Sequence, residues 1–486
     1  MLAASAFGAK RDGTAIWDVA IAPASARRWR SASQAPASSK RYRSQTSSSP
    51  KASTWGLIFT LSLNIVLHIA LPSEPHAQTV TADTSTAIAG NPGAVNVTPG
   101  TGAVGRWLGL APDSGVQLGG VLVSNGNALL SGGSQQGATS FNNLLLLDLE
   151  TDLDRLAQIP GASFGVSGLR FDGEQTNAQA GTITGYNGLP GAPPLNRTEL
   201  YELWWRQSLL GDKLIFRIGK MVPTYDFGNV ARPVPVQDDA LRIPAVTGLL
   251  YTPVFVNPTI LGAMPGYYNS AWGVMVTAAP SDQLYGSAGI YDGNGANGVQ
   301  TGLQAGPTVN TYKFGIAELG AAWLLGPEHQ PGSFGAGGWS QTGTLSLSTP
   351  SGAITQNGTH GFYAFGSQSL WRDQTIGDTR SVSAFTQVGA NNSRTMLVTS
   401  YVGFGLTAFG VMPVRKLDSV GIGVAWSTLN RNQRVRPNEI LIQGYGQIHV
   451  FGPVFLQPTL TVSPQPAALD AQGPAVAFTL QSTILF

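Results

Sequence analysis

From about residue 114 to the C-terminus, hydrophobic and polar positions alternate with a period of two. In LLLLDLETDLD, Leu145, Leu147, Leu149 and Leu153 share one parity, whereas Asp148, Glu150, Asp152 and Asp154 share the other. A helix would scatter those carboxylates around its axis, so the segment reads as a strand with one apolar and one acidic face. The alternation returns where Val402, Phe404, Leu406 and Ala408 interleave with Tyr401, Gly403, Gly405 and Thr407. It returns again where Val420, Ile422, Val424 and Trp426 interleave with Ser419, Gly421, Gly423 and Ala425. A two-layer soluble sandwich would also alternate, but its outer side would carry Lys and Glu. Here the apolar parity carries no charge, which favours a sheet with one face turned to lipid.

Composition narrows the choice. Charged residues make up 11% of the 486, and mean hydropathy is only +0.05. Soluble domains carry about 25% charged residues, so this chain is too poor in charge for water on every side. A helical membrane bundle would need apolar runs of about 18–20 residues, and none occurs beyond the N-terminal region. What remains is an all-β, transmembrane, antiparallel up-and-down β-barrel. With strands of about 9–11 residues plus connections, residues 114–486 hold about 16 strands.

The N-terminal region differs. Residues 55–71 (WGLIFTLSLNIVLHIAL) form an apolar run behind Arg41, Arg43 and Lys51, followed by small residues up to Ala77. That is the pattern of a signal peptide with an extended n-region over residues 1–77. Residues 78–113, rich in Thr, Ala, Gly and Pro, read as a short flexible arm facing the periplasm. The signal holds nine basic and three acidic residues, so its removal takes the formal net charge from +2 to −4. No clustered Lys and Arg then supports nucleic-acid binding. The absence of Cys excludes disulfides and thiolate chemistry.

The final strand places Phe478, Leu480, Ile484 and the terminal Phe486 on one parity, interrupted only by Ser482. A soluble protein rarely ends on a hydrophobic strand without a tail. Trp371, Phe385, Tyr445 and Phe451, near strand ends, are candidates for the aromatic girdles of a barrel.

Of the common enzyme signatures, H-E-x-x-H and the P-loop are absent. His329, His360 and His449 lie far apart, so no catalytic residue, metal site or cofactor is expected. Gly293, Gly295 and Gly298 fit G-x-G-x-x-G, but the VQTGLQAGPT after them cannot form the required helix. A surface loop is the better reading, with Asp292 either a turn former or a cation ligand.

The most informative polar cluster lies in TELYELWWRQSLLGDKLIFRIGK, residues 198–220. As a hairpin turning at Gly211, Asp212 and Lys213, it puts Tyr201, Leu203, Trp205 and Leu209 on one face with Leu214, Phe216 and Ile218. Glu202, Trp204, Arg206 and Arg217 share the other. In a barrel the charged face must be the lumen, because charge facing lipid costs several kcal/mol near the midplane. An acid, two guanidinium groups and an indole suit neutral sugars: hydroxyls exchange hydrogen bonds with ionised groups, and an aromatic face packs on the C–H side of a pyranose. The plainer alternative is an ion pair that stiffens the wall.

At these residues the chain resembles the carbohydrate-selective porins of the OprB family. YELWWRQSLLGDKLIFRIGKM is similar to the family segment in which Tyr-Glu-Leu-Trp precedes a Gln, a short turn and an Arg-Ile-Gly strand. LLLLDLETDLDRLAQIPGASFGVSGLRFDG upstream and NSAWGVMVTAAPSDQLYGSAGIYDGN downstream resemble its neighbouring hairpins, so the likeness covers about residues 105–486. Phe486, closing an amphipathic strand, looks like the signal read by the outer-membrane assembly machinery. The resemblance implies passive diffusion of monosaccharides and small oligosaccharides across a Gram-negative outer membrane, without catalysis, in a trimer or a monomer. Two stretches depart from the family pattern: GRWLGLAPDSG, with Arg106 and Trp107, and RPVPVQDDALRIPAV, residues 232–246. The competing reading is a secreted soluble all-β protein that binds or degrades carbohydrate.

Overall fold

The computed structural model describes residues 102–193, 195–238, 241, 247–266, 268–349, 352–373, 380–410, 412, 414–432, 436–468 and 473–486. The expected signal peptide, 1–77, lies outside the described residues, as does the arm up to Thr101. The rest of the arm includes a short helix, Ala103–Trp107, whose buried Gly105 lies against Leu110 and the backbone of Leu118.

Sixteen strands form the wall of the described fold. They are β1 (Val116–Ser131), β2 (Thr139–Asp152), β3 (Ala162–Gly173) and β4 (Arg197–Leu209); β5 (Leu214–Met221), β6 (Ala271–Ala278), β7 (Leu284–Asp292) and β8 (Lys313–Leu325). The second half holds β9 (Gln330–Thr349), β10 (Gly352–Arg372), β11 (Ser381–Asn391) and β12 (Val398–Phe409); then β13 (Ser419–Leu429), β14 (Asn438–Phe451), β15 (Val454–Ser463) and β16 (Ala475–Leu485). Each strand pairs with its neighbours in sequence, and β1 pairs antiparallel with β16, so the sheet is a closed barrel with no free edge. Closure extends to the last residue: Gly120 N donates to Phe486 O at 2.7 Å and Phe486 N donates to Gly120 O at 3.0 Å.

Leu147, Phe216, Ile218, Leu319, Phe362, Phe404, Ile422 and Trp426 are exposed on the outside, forming the apolar belt that the uncharged parity predicts. No described helix is long and apolar enough to cross a membrane. Short turns, among them 210–213, 326–329 and 452–453, join the strands at the end where Phe486 lies. The longest connection, 222–270, lies at the other end, which is the external side by the usual asymmetry of such barrels.

That connection does not stay outside. Its Gly228 N bonds Glu318 on β8 at 2.8 Å, its Asn257 Nδ2 bonds Val388 O on β11 at 2.9 Å, and its Leu250 N bonds Gln443 on β14 at 2.5 Å. Gln457 on β15 donates to Gly248 O at 2.6 Å. One loop reaches so many separate strands only by crossing the interior. A second loop, 174–196, joins it: Asn187 exchanges amide bonds with Asn125 (3.0 Å) and Asn127 (2.6 Å) of β1. Backbone taken inside a barrel needs partners, which accounts for the Asn, Gln and Thr on the inner parity. The glycines of that parity make room for rings: a Cβ at Gly405 would come within 2.5 Å of Phe385, and one at Gly421 within 2.5 Å of Tyr445.

Two expectations are corrected. Phe385 and Tyr445 are not girdle residues; they are 3% and 6% exposed and turn inward over those glycines, and Tyr445 Oη accepts from Gly248 N at 2.8 Å. Trp371 and Phe451, each 42% exposed, do lie on the outside near the turn-bearing end. Tyr201 is not on the lipid face. The β3–β4 register pairs Ser167 with Glu202 but Gly168 with Leu200, leaving Tyr201 as the extra residue of a bulge. A bulge reverses the facing of the residues before it relative to those after it, so Tyr201 and Glu202 both point inward and both are buried.

Candidate functional site

The inner face of β4 and β5 is built by their register. Arg206 lies opposite Arg217 and Trp204 opposite Gly219, while Trp205 pairs with Ile218 and Gln207 with Phe216 on the outward parity. The hairpin turns through Leu210, Gly211 and Asp212, all left-handed, in place of the Gly211–Lys213 turn expected. The indole of Trp204 lies across Gly165 of β3, where a Cβ would come within 2.3 Å of the ring. Glycine on the neighbouring strand therefore lets Trp204 lie flat along the wall.

The structure brings three of the four predicted residues together. Arg217 Cζ stands 5.6 Å from the centroid of the Trp204 ring, its Nη2 reaches Asp226 Oδ2 at 2.5 Å, and its Nε lies 3.0 Å from Met221 Sδ. Glu202 is buried and is attracted by Arg217 and Arg232, and opposed by Asp148 and Asp226. Arg206 stands apart: its Nη2 is 4.0 Å from Asp212 of the turn and its side chain is one-third exposed. It also acts with Arg217 on Glu150 of β2.

The loop from β5 supplies residues that sequence reasoning missed. Tyr225, Asp226 and Arg232 lie in a segment with no periodicity, so nothing local assigns them a face. Tyr225 Oη is 3.4 Å from Tyr201 Oη, and Arg232 Cζ is 4.1 Å from the Tyr225 ring centroid. Burial raises the Asp226 carboxyl above its ordinary range, against the pull of Arg217 and Arg232. Burial lowers Arg232 to about 10, against the pull of Tyr225 and Asp226. The cluster thus holds four acids (Asp148, Glu150, Glu202, Asp226) and two guanidinium groups (Arg217, Arg232) around two aromatic faces, with Arg206 at its margin through Glu150. Asp148 and Glu150 were legible as the polar parity of β2, though not as part of this cluster. Arg232 opens the unfamiliar stretch 232–246, of which 232–238 and Leu241 are described.

The remaining candidates resolve simply. Gly293–Gly298 form a loop with a short turn, Asn294–Asn297, and Asp292 organises it by accepting from Asn294 N at 2.9 Å and Thr308 N at 3.2 Å. Among the described residues no group of His, Cys, Asp and Glu could hold a metal ion.

A family model described as "Carbohydrate-selective porin, OprB family" matches residues 136–486. A search of the curated proteins found no match. The high-pH structure of Pseudomonas putida OprB is similar over 77% of this chain and 95% of its own, with a TM-score of 0.65 and 16% identity, a likeness of fold. Its low-pH structure aligns over 79% of this chain and 97% of its own, at a TM-score of 0.49 and 15% identity. With the family model covering β2 to the terminal Phe486, the chain belongs to the OprB family of carbohydrate-selective porins.

Proposed function

We propose that the protein is an outer-membrane porin for passive, selective diffusion of neutral monosaccharides and small oligosaccharides into the periplasm, with Glu202, Trp204, Arg206 and Arg217 lining the path. The observation that carries this reading is the mixed cluster beside the interior loop: carboxylates and guanidiniums that exchange hydrogen bonds with hydroxyls, next to an indole laid along the wall. Such a path binds weakly at several points, as conduction requires, because tight binding would slow exit. The gradient drives transport, and no reaction is catalysed. Phe486 serves as the signal for the assembly machinery, reached after export through the N-terminal signal.

Planar-bilayer recording tests the reading directly. Current reduced by glucose or maltodextrins supports it. A conducting channel indifferent to every sugar leaves a general porin. Recovery from culture supernatant, with no heat-modifiable gel migration, favours the soluble alternative.

A further inference from the structure

Glu318 is the lone carboxylate of KFGIAELGAAW, on the inner face of β8, and it is 3% exposed. Its Oε1 accepts from Tyr285 Oη on β7 at 2.7 Å. Its Oε2 accepts from Tyr363 Oη on β10 at 2.7 Å and from Gly228 N of the interior loop at 2.8 Å. Among the described residues it has no salt-bridge partner, so three neutral donors compensate the buried charge. Two of them belong to the wall and the third to the loop. Gly228 takes a φ of 62°, and a Cβ there would lie 3.3 Å from the Tyr363 ring. Two residues earlier the same segment is held from β5, where Arg217 meets Asp226.

Resting on the porin reading above, we infer that Glu318 is a positioning residue: it pins residues 225–228 of the interior loop between two parts of the wall and so sets the aperture beside Glu202, Trp204 and Arg217. The strand that carries it is paired along its length with β7 and β9 by backbone bonds that do not involve the side chain. Loss of the side chain therefore releases the loop at Gly228 and leaves the barrel closed.

Glu318→Ala and Glu318→Gln separate anchoring from charge. A glutamine whose amide oxygen takes the Oε2 position keeps the bonds from Gly228 and Tyr363, and its NH2 donates to Tyr285, whose hydroxyl rotates to accept. The alanine variant keeps none. In single-channel recordings the alanine variant is expected to conduct about twice as much as wild type or more. Its sugar half-block concentration should rise about tenfold, the scale of losing one or two hydrogen bonds' worth of positioning. The glutamine variant should match wild type in both. A folded alanine variant with wild-type conductance, or a glutamine variant that behaves like alanine, overturns the proposal. Should alanine fail to assemble, Tyr363→Phe removes a single donor, and unchanged conductance in that variant counts equally against it. Because the conductance readout needs no sugar, the proposal fails or stands independently of whether wild type is blocked by sugars.

Discussion

The guanidinium of Arg217 on β5 meets the carboxylate of Asp226 in the interior loop at 2.5 Å, with both side chains 15% exposed. This pair ties the predicted wall to a loop that has no pattern of its own, and it links the charge of the site to its shape. Removing Arg217 therefore alters two things at once. Arg217→Ala is expected to make the channel more cation-selective and to weaken sugar block, while heat-modifiable migration of the barrel persists. Arg206→Ala, which leaves the loop contact intact, should shift ion selectivity with a smaller change in sugar block. Reversal-potential measurements in a salt gradient check both, and unchanged selectivity in both variants removes these residues from the conducting path.

The same pair predicts a pH effect. Burial raises the Asp226 pKa in the folded chain, and Arg217 exerts the largest opposing pull. A carboxyl with a raised folded pKa favours the fold in acid, and that contribution is lost as pH rises through the folded value. Without Arg217 the loss moves to higher pH and grows, by about 1.4 kcal/mol for each unit of further shift. Thermal unfolding in detergent from about pH 3 to about pH 8 checks this. Parallel Tm curves for wild type and Arg217→Ala would show that the two groups are not coupled.

The bulge at Tyr201 makes two nearby aromatic positions unequal. Tyr201 is fully buried, packed edge-on to Tyr225 with centroids 6.4 Å apart, whereas Trp205 faces outward. Tyr201→Ala should cost about 3–5 kcal/mol, as for other large buried side chains, and Trp205→Ala about 1 kcal/mol or less. Unfolding midpoints in urea compare them. Equal losses would mean that Tyr201 does not pack inside.

Phe486 extends the β1–β16 seam by one more pair. Its backbone exchanges two hydrogen bonds with Gly120, and a Cβ at Gly120 would lie 2.1 Å from the carbonyl of Leu146 and 2.9 Å from the Phe486 ring. Deletion of Phe486 or Gly120→Ala is expected to lower the yield of assembled barrel while the channels that do form keep wild-type conductance. Normal yield for both variants would refute the closure role.

Glu439 anchors the second interior loop. It accepts from Ile183 N at 2.9 Å, Thr184 N at 2.7 Å and Ala467 N at 3.1 Å. Glu439→Ala strands those donors at about 1–3 kcal/mol each before relaxation. Hydrogen exchange at the amides of residues 183, 184 and 467 should accelerate, with protection of the β14–β15 ladder retained.

The strands were legible in the sequence because the information that specifies them is local. Period-two alternation, uncharged on one parity, sufficed for the outward faces of β12 and β13 and for the shared face of Glu202, Trp204, Arg206 and Arg217, and chain length divided by strand length gave about 16 strands. The Tyr201 bulge was not legible, since one extra residue reverses facing without leaving a compositional mark. Nor was the inward turn of Phe385 and Tyr445, whose rings are as suited to an aromatic girdle as to the space over Gly405 and Gly421. The sequence by itself determined a closed sheet with a lipid face and a polar face, because each residue's facing is set by its neighbours two positions away. Only the tertiary structure decided how the barrel is filled. The bonds of Gly228 to Glu318, of Asn257 to Val388 and of Leu250 to Gln443 join a loop without periodicity to strands far along the chain, and no local pattern encodes where such a loop comes to rest.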